Sequence, residues 1–380
     1  MRIYLDNNAT TPLAPEVRDA MVACLDRCSV GNPSSIHSAG QEARRLVDRA
    51  RAAVARCIGA RPEEIIFTSG GTEADNLAVL GAAAAGARRR VAASAIEHHA
   101  VLSPCRHLAD AGVEVALLPV DGEGRLDLDA AAAALDAGAA VVSVMLANND
   151  VGTIQPVAEV AALARAAGAV VHSDAVQAAG KVPVDVGALG VDLLSISAHK
   201  ISGPMGAGAL YVRTGTRLTP LVFGGRQERS LRPGTENVPA IVGLGRACEI
   251  AAERLEADSV RLARLRSRFE ERVLETIPGA VVNGRDAPRV ATTSNVAFDG
   301  LEGELLAINL DLLGVAVSTG AACSIGDAEP SHVLIAMGRT PAQARSSVRF
   351  SLGRDTTDDD IDGAVAALRQ AVAALRGGGR

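Results

Sequence analysis

The sequence predicts an α/β protein: a mostly parallel sheet sandwiched by helices, followed by a smaller α+β domain. Two features predict this fold. Between about residues 15 and 255, short apolar runs alternate with alanine-rich stretches, which is the pattern of buried parallel strands joined by helices. Near residue 250 the alternation gives way to one long amphipathic stretch, which indicates a second unit.

Strands are predicted where short apolar runs rich in β-branched residues are bounded by turn residues. Such runs occupy residues 64–69, 90–95, 113–120, 139–147, 168–175, 191–197 and 208–213. The alanine-rich stretches EADNLAVLGAAAAG and PVAEVAALARAAG are predicted as helices between them. In sheets of this kind a ligand binds beyond the carboxyl ends of the strands, so we expect the functional residues there.

The second part begins with the stretch 247–277, in which apolar residues recur at roughly helical spacing: Leu255, Leu262, Leu265, Phe269 and Val273. After it the sequence predicts a strand at TSNVAF, a helix at EGELLAINLDLL, a loop around Cys323, a strand at SSVRFSLG and a C-terminal helix. The predicted domains are therefore residues 15–255, and residues 1–14 together with 256–380.

Composition narrows the class of protein. The 380 residues are 48% hydrophobic and 22% charged, which is typical of a soluble globular protein. A net charge of −6 and an aromatic content of 2% argue against direct binding of nucleic acid or of an anionic membrane. No Cys-x-x-Cys pair, signal peptide or spanning segment is found in the sequence, so a cytoplasmic protein is expected.

The segment FTSGGTEADN follows a predicted strand and opens a predicted helix. It places the backbone N–H groups of Gly71 and Thr72 at a helix start, where they can bind an anion such as a phosphate. Thr72 and Asp75 also fit a helix-capping box. The two interpretations are compatible, and this segment alone does not choose between them.

Three ionisable side chains follow other predicted strands. Asp174 ends one strand, and a buried carboxylate needs a cationic partner. Lys200 follows another strand, and a desolvated lysine can lose its proton and attack a carbonyl group. His98 lies just beyond a third strand. Taken singly, such residues more often serve ordinary structural roles: a salt bridge or helix cap for the aspartate, a solvated side chain for the lysine and a hydrogen-bonded ring for the histidine.

Taken together, these groups match the chemical needs of pyridoxal phosphate. Its phosphate needs helix N–H groups, its aldehyde needs an amine, and its ring nitrogen needs a carboxylate that keeps it protonated. A close opposite charge moves a pKa by roughly 1–3 units, which is enough to hold such a ring cationic near neutral pH. The sequence therefore predicts a pyridoxal-phosphate site.

The chain resembles the cysteine desulfurases of the NifS/IscS group, which are class V, fold-type I pyridoxal-phosphate enzymes. The resemblance runs from YLDNNATTP (4–12) to RFSLGRDTT (349–357) and includes GNPSSIH, EHHAV, DAVQAAGKVPVD, AHK, QERSLRPGTEN and EPSH in order. It implies removal of sulfur from L-cysteine, which gives L-alanine and a persulfide on Cys323. The sulfur would then pass to an acceptor, such as an iron–sulfur scaffold or a sulfur-carrier protein, or would serve transfer-RNA thiolation.

The resemblance also implies a role for each site residue. Lys200 would bind the cofactor covalently, Asp174 would pair with its ring nitrogen, and His98 would stack on the ring and serve as acid or base. Cys323 would be the nucleophile. The other implied contacts are Gly71, Thr72, Ser197 and His199 with the phosphate, Asn149 and Gln177 with the phenolic oxygen, Thr235 with the phosphate of a partner subunit in a homodimer, and Arg349, helped by Asn8, with the substrate carboxylate.

The chain departs from the usual pattern of this family at a few positions. Asp150 stands where glutamate is usual, Met205 where lysine is usual, and Arg226 where histidine or glycine is common. Residues 324–328, with Ile325 and Asp327, also differ from the usual Thr/Ser-rich loop. None of these changes removes a group that the chemistry needs, but they leave the acceptor of the sulfur open.

Other functions fit parts of the same pattern. A lone cysteine among small residues is more often structural, and Cys323 gains its role only from the distant lysine, aspartate and histidine. A selenocysteine lyase could use the same residues, whereas another class V aminotransferase would have no use for Cys323. A relative that binds partners without catalysis is a third alternative, and the intact set of catalytic residues argues against it.

Overall fold

A computed structural model describes residues 3–27, 31–86, 89–319 and 329–377 of the chain. These ranges contain twelve strands and twelve α-helices. The strands are β1 (Ile3–Tyr4), β2 (Ile65–Thr68), β3 (Arg90–Ser94), β4 (Glu114–Leu118), β5 (Val141–Ser143), β6 (Val170–Asp174), β7 (Leu193–Ser197), β8 (Gly208–Val212), β9 (Ala280–Asn283), β10 (Thr293–Phe298), β11 (Val315–Ala316) and β12 (Ser347–Ser351). The helices are α1 (Pro15–Arg27), α2 (Ser38–Cys57), α3 (Gly71–Ala85), α4 (His99–Asp110), α5 (Leu128–Asp136), α6 (Val157–Ala167), α7 (Val186–Leu189), α8 (Val238–Thr276), α9 (Gly303–Leu312), α10 (His332–Ala336), α11 (Pro341–Arg345) and α12 (Asp358–Gly377).

Seven strands form the central sheet in the order β2-β8-β7-β6-β5-β3-β4. β8 runs antiparallel to both of its neighbours, and the other pairs are parallel. The prediction of a mostly parallel sheet is therefore confirmed, and each predicted strand is present. The largest difference is β5, whose pairing with β3 stops at Ser143. Beyond that point, the N–H groups of Val144 and Leu146 still donate hydrogen bonds to backbone oxygens of β6.

Helices cover both faces of this sheet, because the buried strands present apolar side chains to both sides. One cluster of buried side chains joins the sheet to α2, α6 and α8, through residues such as Val47, Val160 and Leu244. A second cluster joins the opposite face to α3 and α4, through Leu77 and Val101. β2, β7 and β8 are buried at every position, as expected for strands covered on both sides.

The smaller part of the molecule contains an antiparallel sheet in the order β12-β10-β9 and the parallel pair β1-β11. Its core is a separate cluster in which residues of α8, α9 and α12 pack on β10 and β12. The chain thus carries a smaller α+β unit after the large sheet, as predicted. In the described part of the chain, no helix is long and apolar enough to cross a membrane.

Helix α8 begins at Val238 and not at residue 247, because Asn237 caps it and a proline occupies its first turn. Its first half packs into the large core through Leu244 and Cys248. Its second half packs into the small core through Leu262 and Phe269. Since the cluster changes within this helix, we propose residue 255 as the boundary between the two domains, with residues 1–14 added to the smaller one.

Candidate active site

A cavity of about 780 Å³ lies beyond the carboxyl ends of the parallel strands β2, β3, β5, β6 and β7. The structure brings most of the predicted site residues together in its lining: Asn8, Gly71, Thr72, His98, Asn149, Asp174, Gln177, Ser197, His199, Lys200 and Arg349. Thr235 is exposed and lies outside this lining, so its contact with a partner subunit stays a prediction. Cys323, with Ile325 and Asp327, lies outside the described residues.

The start of α3 is open to the cavity. The helix begins at Gly71, directly after Gly70, and no side chain caps it. The capping box of Thr72 and Asp75 is not formed, since Thr72 already lies inside the helix; Asp75 is buried and lines the cavity instead. Uncapped N–H groups at the positive end of a helix dipole attract an anion.

Close backbone packing holds this helix start in place. A Cβ atom at Gly208 would lie 2.6 Å from the Cα atom of Gly70, and one at Gly71 would lie 2.7 Å from Cγ2 of Val176. The same Cβ at Gly71 would lie 3.7 Å from Cβ of Ser197, so the side chain of Ser197 reaches the helix start from β7. Glycine is therefore required at these positions by space, and Ser197 places its side chain beside the helix start.

Lys200 lies in the short 3₁₀ turn Ala198–Lys200 that follows β7. Its Nζ donates to the backbone oxygens of Asn8 and Ala9 at 2.5 and 2.7 Å. Burial, and then the positive charge of Arg349, lower the pKa of this amine to about 8. Near neutral pH, a larger fraction of Lys200 is therefore in the neutral, nucleophilic form than of an ordinary lysine.

Asp174 ends β6 and is 5% exposed. Its Oδ1 accepts a hydrogen bond from the N–H of Val176 at 2.8 Å. Burial, and then the charge of Asp75, raise the pKa of Asp174 to about 7, and burial raises the pKa of Asp75 to about 7 as well. Burial also lowers the pKa of the adjacent His172 to about 4, so that its ring is neutral. A ligand cation beside Asp174 would stabilise its carboxylate.

Two amide side chains reach the cavity beside Asp174. Oδ1 of Asn149 is buried and accepts no hydrogen bond from the described residues. Nε2 of Gln177 donates to the backbone oxygen of Asn8 at 2.9 Å, and its Oε1 accepts from Nζ of Lys181 at 2.5 Å. Lys181, which sequence reasoning missed, thus orients the amide of Gln177. The signal in the sequence is the spacing of four residues between Gln177 and Lys181, which lets the two side chains meet where the chain turns between them.

Four histidines line the cavity, and the sequence predicts a role for two of them, His98 and His199. His98 is the N-cap of α4, where its Nδ1 accepts from the N–H of Ala100 at 3.1 Å. Burial, and then the charge of Lys200, lower the pKa of His98 to about 4. The neutral ring therefore carries its proton on Nε2. The same two causes lower the pKa of His199 to about 4, and Nδ1 of His199 lies 3.2 Å from Oγ1 of Thr10.

Arg349 lies in β12 and is 6% exposed. Its Nη2 donates to Oδ1 of Asp6 at 3.0 Å, and its Nη1 donates to the backbone oxygen of Asn149 at 3.2 Å and to Oδ1 of Asp150 at 3.4 Å. Nε has no partner among the described residues. Sequence reasoning missed both carboxylates, although an arginine within an apolar strand requires buried acidic partners.

The polar groups of the cavity fit pyridoxal phosphate. An uncapped helix start suits the phosphate, and a lysine amine with a lowered pKa suits the aldehyde. A buried carboxylate without a full positive partner suits a protonated ring nitrogen, and the amides beside it suit the phenolic oxygen. This fit rests on the donors and acceptors of the described residues alone.

The family described as Aminotransferase class-V matches residues 3–363 of the chain. The protein therefore belongs to the class-V aminotransferases, a family of pyridoxal-phosphate enzymes of fold type I. A cysteine desulfurase of Cereibacter sphaeroides is 50% identical over 99% of this chain and 97% of its own length. Cysteine desulfurase NifS of Azotobacter vinelandii is 45% identical over 98% of this chain and 93% of its own length.

Solved structures agree with these sequence matches. A NifS-like protein superposes with a TM-score of 0.92 at 37% sequence identity, and the match covers 99% of this chain and 100% of that protein. Within the class-V family, the chain groups with the cysteine desulfurases named NifS and IscS.

Proposed function

We propose that this protein is a cysteine desulfurase, which converts L-cysteine to L-alanine and passes the sulfur on through a persulfide on Cys323. One observation carries the proposal. Ser318 and Glu329, which flank the segment of Cys323 on its two sides, line the same cavity as Lys200 and Arg349. The segment that carries Cys323 is therefore flanked on both sides by residues that line the cavity of the proposed substrate site.

Pyridoxal phosphate, when bound, withdraws electrons from the α-carbon of an amino acid. Lys200 would hold it covalently and Asp174 would pair with its ring nitrogen. The other proposed contacts are Gly71, Thr72, Ser197 and His199 with the phosphate, Asn149 and Gln177 with the phenolic oxygen, and the ring of His98 with the face of the cofactor.

Arg349 would bind the carboxylate of L-cysteine. Asp6 and Asp150 hold its guanidinium in place. Its Nε, which has no partner among the described residues, leaves a donor for a further anion. A planar guanidinium fixes both the position and the rotation of a carboxylate. The orientation of the substrate sulfur in the cavity is thereby set as well. Asn8 lines the same cavity and would help Arg349 to bind the carboxylate.

The sulfur transfer balances without an external oxidant. The C–S bond of L-cysteine breaks, an S–S bond forms with Cys323, and L-cysteine plus one thiol becomes L-alanine plus one persulfide. Only the thiolate of Cys323 is the nucleophile. Because Nδ1 of His98 caps α4 and Nε2 carries the proton of the neutral ring, we assign the uptake of the thiol proton to the substrate amine. His98 then serves as a stacking surface and a hydrogen-bond donor.

We propose that the enzyme works as a homodimer in the cytoplasm and delivers sulfur to an iron–sulfur scaffold or a sulfur-carrier protein. Thr235 is exposed and outside the cavity of its own chain, as a residue that serves a partner's phosphate would be. The nearby side chains of Val222 and Phe223 are 57% and 82% exposed, and a second subunit would cover them. Light scattering measures the mass, and Thr235→Ala should weaken cofactor binding without changing that mass.

The enzyme assay measures L-alanine and sulfide formed from L-cysteine in the presence of a reducing thiol. Cys323→Ala should keep the cofactor absorbance and lose sulfide release. If that variant kept full sulfide release with its cofactor bound, the assignment of the nucleophile would be wrong. If kcat/KM were higher for L-selenocysteine than for L-cysteine and independent of Cys323, the enzyme would be a selenocysteine lyase.

A further inference from the structure

The two described flanks of the Cys323 segment are connected to Arg349, one directly and the other through Asp150. On one side, the backbone of Ser318 pairs with that of Arg349, through hydrogen bonds of 3.2 and 2.6 Å. On the other side, Oγ of Ser331 donates to Oδ2 of Asp150 at 2.6 Å, and Oδ1 of Asp150 lies 3.4 Å from Nη1 of Arg349. The proposed substrate site and the two described flanks of the segment therefore share one arginine.

Asp150 connects Ser331 to Arg349, and both oxygens of its buried carboxylate are occupied by these contacts. It is 1% exposed, and a carboxylate buried to this degree needs charged or hydrogen-bonding partners. Oδ1 faces Arg349 and the amide of Asn149, which donates to it at 3.1 Å, whereas Oδ2 faces Ser331. The N–H of Asp150 donates to Oδ1 of Asn148 at 2.8 Å, which fixes its backbone.

We infer that Asp150 is a positioning residue that couples the carboxylate-binding Arg349 to Ser331, and thereby to the segment that carries Cys323. The inference rests on the proposed function, since it requires Arg349 to bind the substrate carboxylate. Asp6 lies nearer to Arg349, at 3.0 Å, than Asp150 does. A substrate carboxylate bound at Nε brings a further negative charge to the same guanidinium and weakens the longer contact, that of Asp150, first. A shift of the Asp150 carboxylate then moves the acceptor of Ser331.

A purely structural role must be separated from this coupling, because Ser331 also caps α10. Its Oγ accepts from the N–H of Leu334 at 3.4 Å. A matched control exists in the next helix: Oγ1 of Thr340 caps α11, accepts from the N–H of Gln343 at 3.2 Å and makes no hydrogen bond to Asp150. Thr340→Ala thus removes a cap of the same kind without touching the link to Arg349.

The experiment is a double-mutant cycle between Asp150→Asn and Ser331→Ala in the cofactor-loaded enzyme. Two quantities are measured: the single-turnover rate of persulfide formation on Cys323, by mass spectrometry after alkylation, and the Kd for L-alanine, by the change in cofactor absorbance. Ser331→Ala should slow persulfide formation about tenfold, as expected for a lost hydrogen bond to a charged group, and leave the Kd for L-alanine within about twofold. Asp150→Asn should change both quantities.

The double variant should be no slower than Asp150→Asn alone, because both changes break the same link. Rates that multiply in the double variant, or a Ser331→Ala rate equal to that of Thr340→Ala, would overturn the coupling. If Asp150→Asn does not fold, Asp150→Ala takes its place in the cycle, since it removes both oxygens that form the link. Failure of the proposed function is recognised separately, by wild-type enzyme that forms neither alanine nor persulfide.

Discussion

The lowered pKa of Lys200 predicts how covalent loading of the cofactor depends on pH. Burial, and then the charge of Arg349, lower this pKa from 10.5 to about 8. At pH 7, roughly 9% of Lys200 is then neutral, against roughly 0.03% of an ordinary lysine. Because only the neutral amine attacks an aldehyde, the loading rate should follow this neutral fraction. The hydrogen bonds to the oxygens of Asn8 and Ala9 are available to a neutral amine too, since it keeps two N–H groups.

The assay mixes apoprotein with pyridoxal phosphate between pH 6 and pH 9 and follows the absorbance of the covalently bound cofactor. Raising the pH removes the proton from Lys200, so the rate should rise about tenfold from pH 6 to pH 7 and level off above pH 8. Nα-acetyl-lysine, mixed under the same conditions, corrects for the titration of the cofactor itself. Lys200→Ala should show no covalent loading at any pH.

A rate that kept rising tenfold per pH unit up to pH 9 would refute the reasoning, since Lys200 would then titrate as an ordinary exposed lysine. Arg349→Gln provides a second check on the cause. It removes the positive charge that is the second largest cause of the lowered pKa, so the midpoint of the curve should move to higher pH.

Three further predictions concern the cofactor site. Asp174→Asn should raise the Kd for pyridoxal phosphate roughly 10–100-fold, because a charge-assisted hydrogen bond is lost; equilibrium absorbance titration measures it. Gly208→Ala should destabilise the protein by ~1–3 kcal/mol and weaken phosphate binding, because its Cβ would lie 2.6 Å from Cα of Gly70. Lys181→Met should lower kcat by roughly threefold to tenfold and shift the cofactor absorbance, because Gln177 loses the donor to its Oε1.

Each of these predictions has a matched control. Asp75 lines the same cavity but is not assigned to the ring nitrogen. Asp75→Asn should therefore weaken cofactor binding less than Asp174→Asn does. Gly206 precedes β8, has nothing within 4 Å of an added Cβ and has a φ of +78°, so Gly206→Ala should cost stability through backbone strain and leave phosphate binding unchanged. Lys181→Arg keeps a donor and should retain more activity than Lys181→Met; equal losses would show that Lys181 does not act through Gln177.

The strands and helices were predictable because their signals are local. Apolar runs such as 64–69 and 191–197 are buried strands in the structure, since continuous apolar sequence is stable only when both faces are covered. The apolar spacing of 247–277 does not predict the start of α8, because that start is set upstream by the cap that Asn237 supplies. The capping box of Thr72 and Asp75 was wrong, because the same spacing suits both a cap and an open helix start.

The sequence by itself determined the class of site: a lysine, an aspartate and a glycine-rich helix start, each at the end of a strand of a mostly parallel sheet. Their convergence follows from the rule that such strand ends meet at one edge. Only the tertiary structure decided which acids hold Arg349, since Asp6 lies 343 residues away in the chain. It likewise placed Asp150 against Ser331, which is 181 residues away. A sequence pattern shows which residues are close along the chain. The partners of a buried charge are instead the polar groups that lie close to it in the folded structure, however far apart they are in the sequence.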